Sequence, residues 1–213
     1  ASILYLWKDR AGRSGALYLI VPAVLIFTAM SLQKVNIGLR HVLPACPFIF
    51  VLIGYAPSIK TLSARAARYV FYACIAWYVY ANAGIFPHYL AYFNEFTGGP
   101  ANGYKYLVDS NLDWGQDLKG LKRYMDEKKI DRINLAYFGM SDPKYFGIKY
   151  DYLPSVAILN PENVRAEVPL KGWFAISATM LQGVYLQDRD FYRVFREADP
   201  VDNIGYSIFI YRF

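Results

Sequence analysis

The residues with the most chemistry per length lie in DSNLDWGQD, which spans 109–117 and carries Asp109, Asn111, Asp113, Trp114, Gln116 and Asp117. Oxygen ligands at alternate positions would suit a hard cation. The EF-hand order, however, demands glycine at its sixth position and glutamate at its twelfth, where this chain has Trp114 and Gly120. The spacing fits turn and capping duty better. Asp113 followed three residues later by Gln116 reads as a capping box, with Asp113 as a structural N-cap, and Asp117 in the first turn suits the positive end of a helix dipole. A second polar cluster, Lys34, Asn36, Arg40 and His41, precedes a proline-rich apolar run. It reads either as the wall of a pocket beside a kinked helix or as Arg40 reaching out to lipid headgroups. Cys46 and Cys74 lie in separate apolar segments and read as packing residues. Two distant cysteines and two histidines make no metal set.

The elements that must position these residues divide the chain of 213 residues in two. Residues 1–86 hold eight Lys/Arg against a single acid, Asp9, whereas 87–213 hold 15 basic and 16 acidic residues. The basic residues flank apolar segments instead of covering a folded face, so the pI near 9.2 does not point to nucleic acid. Three uncharged windows, 14–33, 42–59 and 69–87, are 20, 18 and 19 residues long. As helices each would run about 27–30 Å, the thickness of a hydrocarbon core. The expectation is a polytopic α-helical membrane region over 1–94 with three spans. Alternate basic loops would place 95–213, a small α/β domain, outside the cytoplasm. Pro44, Pro47, Gly54 and Pro57 would kink the second span.

In the second half the turn cluster Gly98, Gly99, Pro100, Asn102 and Gly103 should lead into a strand over 104–108. A helix running to Lys128 follows, with Leu118, Leu121 and Met125 on one face. Further strands are expected over 133–138, 156–159, 173–177 and 206–211, and a helix over 190–197. The helix between the first two strands would make them parallel. No GxSxG, P-loop or HExxH motif is present.

NIGLRHVLPACPF at 36–48 and PHYLAYFNEFTGGPANGYKYLVDSNLDWGQDLKGLKRYM at 87–125 resemble the C-terminal part of bacterial glycosyltransferase family 39-like membrane proteins. Those proteins are similar to protein O-mannosyltransferases and aminoarabinose transferases of the GT-C superfamily. LAYFG at 135–139, GWFAIS at 172–177 and GYSIFIYR at 205–212 extend the likeness over most of the chain. The resemblance implies the C-terminal portion of a glycosyltransferase that takes sugar from a polyprenyl-phosphate carrier at the outer face of the bacterial cytoplasmic membrane. It implies as partners membrane lipids, the polyprenyl-phosphate-linked sugar, and further transmembrane helices or membrane subunits. A divalent metal would belong to the full-length enzyme, with no cofactor in this chain.

The family's catalytic carboxylate lies in a loop that nothing in this chain matches, so no catalytic residue is assigned. Arg40 falls where the family approaches the carrier phosphate, with His41, Asn36 and Lys34 beside it, and a guanidinium forks well onto phosphate oxygens. The residues Asp109, Asn111, Asp113, Trp114, Gln116 and Asp117 form the family's structural signature. The alternative is a non-catalytic membrane-anchored module or accessory subunit of a larger complex. A transporter is disfavoured, since the spans carry neither charge nor repeats.

Overall fold

A computed structural model describes residues 10–32, 38–55, 64–155 and 170–213. The chain divides into two compact units, Ala1–Gly84 and Ile85–Phe213. The first contains helices α1 (Arg10–Ser31), α2 (Cys46–Tyr55) and α3 (Ala64–Ile85), the last of which reaches the unit boundary. Helix α1 packs on α2 and on the 3-10 turn Leu43–Ala45. Small side chains permit the approach: Ala16 and Ala23, two turns apart on α1, are buried, as is Ala45.

The three expected spans are not found among the described residues. Among the described residues no helix is long and apolar enough to cross a membrane. Helix α2, where the second span was expected, has 10 described residues. That is about 15 Å of helix against a hydrocarbon core of about 30 Å. Helix α3 dilutes its apolar residues with Arg65, Arg68, Tyr69, Tyr72, Trp77, Tyr78, Tyr80 and Asn82, and α1 opens on Arg10 and Arg13 and carries Pro22. The three-span GT-C-like architecture is therefore replaced by a mixed α/β fold. The inner-membrane localisation, the extracytoplasmic placement and the lipid partners lose the helices on which they rested.

The second unit is built on a five-stranded sheet of order β2-β1-β3-β5-β4. Its strands are β1 (Ile133–Ala136), β2 (Tyr150–Tyr152), β3 (Trp173–Ser177), β4 (Asp202–Ile204) and β5 (Ile208–Arg212). Strand β1 runs parallel to both β2 and β3, while β5 is antiparallel to β3 and to β4. The pleat sends alternate residues to opposite faces. Ile133, Leu135, Tyr137, Ala175, Ile208 and Ile210 meet one face of helix α4 (Leu118–Glu127) through its Leu118, Leu121, Tyr124 and Met125. Ala136, Phe174, Ile176, Phe209 and Tyr211 face the other way, onto Leu112, Leu153, Met180, Tyr192 and Phe195. Two apolar layers thus sandwich the sheet, which explains why its central strands carry apolar residues on both faces.

Several local expectations shift. No strand forms over 104–108, where the chain makes turns after the helical turn Pro100–Gly103. Its one-sided parallel partnership is taken up instead by β2 and β3 on either side of β1. Strand β3 occupies 173–177 as its sequence pattern requires, β5 lies at 208–212, and the expected helix over 190–197 is the shorter α5 (Arg193–Glu197). The strand expected over 156–159 lies outside the described residues.

The largest local change concerns Asp113. Helix α4 begins at Leu118 with Asp117, not Asp113, at the N-cap position, and Asp117 makes no side-chain capping bond there. Gln116 folds back locally, with Oε1 accepting the Trp114 N–H at 2.7 Å and Nε2 donating to the Leu112 carbonyl at 3.1 Å. The segment 109–117 is therefore a folded loop, and the capping-box reading fails because the helix starts one turn later.

Candidate functional site

Three parallel strands with β1 between β2 and β3 create a switch point: the chain leaves β1 for one neighbour and then crosses to the other. In open α/β sheets ligands bind outside the carboxyl ends of the strands at such a point. Here those ends are Tyr137-Phe138-Gly139 after β1 and Ser177-Ala178-Thr179 after β3. The Phe138 N–H donates to Ser177 Oγ at 3.0 Å, joining the two ends directly.

The loop 109–117 lies against this edge. The Asp109 N–H donates to Thr179 Oγ1 at 2.9 Å, and the Tyr185 hydroxyl donates to Asp109 Oδ2 at 2.7 Å. Asp109 has φ 57°, a left-handed conformation that costs a residue with a side chain but that Asp tolerates better than most. The Asp109 carbonyl turns inward and accepts the N–H groups of Leu112 at 2.9 Å and Asp113 at 2.7 Å. Tyr185 also stacks on Phe138, with ring centroids 5.7 Å apart and planes 4° from parallel. On the other side of the turn Trp114 donates its indole N–H to the Ser110 carbonyl at 3.2 Å and leaves 63 % of its surface exposed.

Beneath this rim Asp113 is wholly buried, at 0 % exposure. Its Oδ1 accepts the Gly115 N–H at 2.9 Å, while Oδ2 has no hydrogen-bond partner. The Ser177 hydroxyl is near enough to favour the ionised form, yet it does not supply Oδ2 with a bond of ordinary geometry. Burial pushes the carboxyl up from 3.8 to about 7. The Gly115 N–H and Ser177 oppose the rise, and the charges of Asp117 and Asp109 add to it. Close backbone approach holds the loop here. Tyr137 donates to the Gly115 carbonyl at 2.8 Å, and a Cβ on Gly115 or Gly139 would collide with that same tyrosine. Burial, followed by the charge of Asp113, lifts the Tyr137 hydroxyl to about 12, so it is a fixed donor at neutral pH.

Asp117 anchors a neighbouring constellation. Ser207 donates to its Oδ2 at 2.6 Å, and His88 Nδ1 lies 3.6 Å from its Oδ1. The residues are those of a hydrolytic triad in the wrong order: the serine bonds the aspartate instead of the histidine, so no base is set to take its proton. Desolvation raises the Asp117 carboxyl, and the Ser207 bond and His88 act against it.

The sequence thus located Asp109, Asp113, Trp114, Gln116 and Asp117 in one loop. Asn111 is there too, with its side-chain amide on the Val108 carbonyl at 3.2 Å, a turn-closing role. The sequence reading missed Ser177, Thr179, Tyr185, Ser207 and His88. Ser177 and Thr179 could have been found as the first polar residues beyond an apolar strand; the others come from remote segments with no local signal. Arg40 and His41 sit on the 3-10 turn Gly38–His41, Arg40 exposed and His41 half-buried, while Lys34 and Asn36 lie outside the described residues. Among the described residues no group of three or more His, Cys, Asp and Glu side chains is placed to hold a metal ion.

No protein-family model matches the chain, and no curated protein or solved structure does either. The likeness to family 39-like glycosyltransferases is accordingly corrected. The short runs LAYFG and GWFAIS fall on the buried strands β1 and β3, where packing accounts for their apolar residues, and no match supports the relationship. With it go the transferase function, the membrane-anchored alternative, and the polyprenyl-phosphate partner assigned to Arg40.

Proposed function

We propose that residues 85–213 form a ligand-binding domain whose site lies over the carboxyl ends of β1 and β3. In this reading Asp109 contacts the ligand at the rim, and Asp113 is the group behind it that exchanges a proton. The observation that carries the reading is the unpartnered Oδ2 of a fully buried Asp113 at the switch point of the sheet. A buried carboxyl without a full set of partners weakens a fold, and such groups concentrate where a protein binds or reacts. The polar residues around it, Ser177, Thr179 and Asp109, are on strand ends and a loop that the sheet holds fixed. The glycines at 115 and 139 let the Tyr137 ring pack against the backbone beside that carboxyl.

The test is carboxyl-carbon NMR of the 213-residue chain, titrated from pH 4 to 9, with a fragment screen read on the backbone amides. The expected result is an Asp113 midpoint near 7, with fragments perturbing 109–117, 138–140 and 177–179 together. An Asp113 midpoint in the ordinary range, with fragments clustering elsewhere, overturns the reading.

A further inference from the structure

Among the described residues, the helix packing of the first unit is that of α1 on α2, and α3 (Ala64–Ile85) lies outside it. Tyr69, Tyr72, Trp77 and Tyr80 of α3 each leave more than half of their surface exposed. Apolar surface of that extent on a helix marks a contact with another body.

The order of the residues says which body. Ala66, Tyr69, Ala73, Ala76, Tyr80 and Ala83 follow the alternating steps of three and four that make a coiled-coil seam. The seam reads the same in both directions, symmetric about the point between Cys74 and Ile75. A two-fold interface has that property, because residue i meets residue j and j meets i. A second α3 turned end for end sets Tyr69 against the partner's Tyr80 and Ala73 against the partner's Ala76, where small side chains let the backbones approach.

Charge selects the same orientation. Arg65 and Arg68 stand near the N-terminus of α3, the positive end of its own dipole, and its last turn has no basic residue. An antiparallel pair brings these guanidinium groups to the partner's carbonyl end, whereas a parallel pair gathers four arginines at one end. Tyr72 and Trp77 flank the seam, so four rings of about 150–250 Å² each, more than half exposed, offer about 500 Å² per copy and about 1,000 Å² per pair, which a specific interface requires.

We propose that α3 is a dimerisation helix, pairing antiparallel with α3 of a second copy of this chain about a two-fold axis level with Cys74 and Ile75. The proposal concerns residues 64–85 and does not depend on the ligand site over β1 and β3.

Sedimentation of the 213-residue chain in aqueous buffer, across micromolar concentrations, should show a monomer of 24.4 kDa giving way to a dimer. Tyr69→Glu should weaken the dimer about tenfold or more. Tyr78→Glu, on the opposite face of the same helix, should leave it unchanged. Tyr69→Lys combined with Tyr80→Glu in one chain sets lysine against glutamate at both symmetric contacts and should restore association that Tyr69→Lys alone removes. Orientation is read by cross-linking in a Cys46→Ser, Cys74→Ser background. A mixture of Ala66→Cys and Ala83→Cys chains should oxidise to the mixed disulfide, and neither chain alone should cross-link. A monomer at every concentration leaves the seam to another occupant and overturns the proposal, as does a species larger than a dimer. Equal weakening by Tyr69→Glu and Tyr78→Glu overturns the seam, and cross-linking of each chain alone overturns the antiparallel arrangement.

Discussion

Ser207 donates its hydroxyl hydrogen to Asp117 Oδ2 at 2.6 Å, a bond that ties the β4–β5 turn to the head of α4 across 90 residues of chain. Both side chains are buried, so neither finds water if the other is lost. Ser207→Ala should therefore destabilise the second unit by about 1–3 kcal/mol, the cost of leaving a buried acceptor unmet. It should also drive the Asp117 carboxyl further up, since this bond is the largest effect opposing its desolvation. Urea denaturation and carboxyl NMR read the two effects; an unchanged midpoint in both would remove the tie.

Asp113 sets a pH dependence with a definite sign. Its carboxyl stands at about 7 in the folded chain against 3.8 ordinarily. The folded state thus binds more protons than the unfolded one between those values. The contribution to stability is full below pH 4 and is lost as pH rises through 7, by an amount on the order of 4 kcal/mol. Asp113→Asn carries no charge to desolvate, so its melting temperature should be nearly level from pH 5 to 8 and exceed wild type at pH 8. A parallel fall in both proteins would place the titrating group elsewhere.

Gly205 sits at φ 60° beside Tyr206 at φ 63°, and a Cβ on it would strike the Asp117 carboxyl group. Gly205→Ala meets backbone strain and collision together and should cost about 1–3 kcal/mol. The damage should extend to the Ser207–Asp117 bond, visible as lost protection of the turn amides. An alanine variant that melts with wild type would show that the turn has room to move.

Helix α4 ends in a Schellman arrangement built on the wrong residue. Ile130 N–H donates to the Met125 carbonyl at 2.8 Å and Lys129 N–H to Asp126 at 3.2 Å, with Lys129 itself at φ 56°. Glycine is the usual occupant of that position. Lys129→Gly should stabilise the chain by about 0.5–1 kcal/mol by relieving the left-handed penalty. A lower melting temperature would contradict it.

What could be read in the chain was what is local. Leu118, Leu121 and Met125 announce the buried face of α4 by their spacing, and WFAIS announces β3 by five residues that fit a covered strand. Asp113 was misread because a capping box and a folded loop share the same three-residue spacing. The difference is made by Tyr137, Gly139 and Ser177, which the sequence places 24 or more residues beyond Asp113. The membrane reading failed on geometry that windows of hydropathy do not contain: where the second window lies, the described helix has 10 residues. The aspartates of 109–117 could be singled out, but not what completes their site, because every completing residue arrives from another strand or turn.

That remoteness has a kinetic consequence. The bonds that hold the rim and the buried carboxyls close over 39, 70, 76 and 90 residues. Each closure must pay the entropy of a long loop before its hydrogen bond is returned, and chains rich in such pairings fold slowly. Helix α4 needs none of them and can form early from its own spacing. The Trp114 indole, lodged on a loop that only these long closures fix, is then a built-in reporter of the last step. In refolding from urea, the part of the fluorescence that a Trp114→Phe control lacks should reach the native value after the helical circular dichroism of the chain has recovered, and a simultaneous recovery would mean that loop and helix consolidate together.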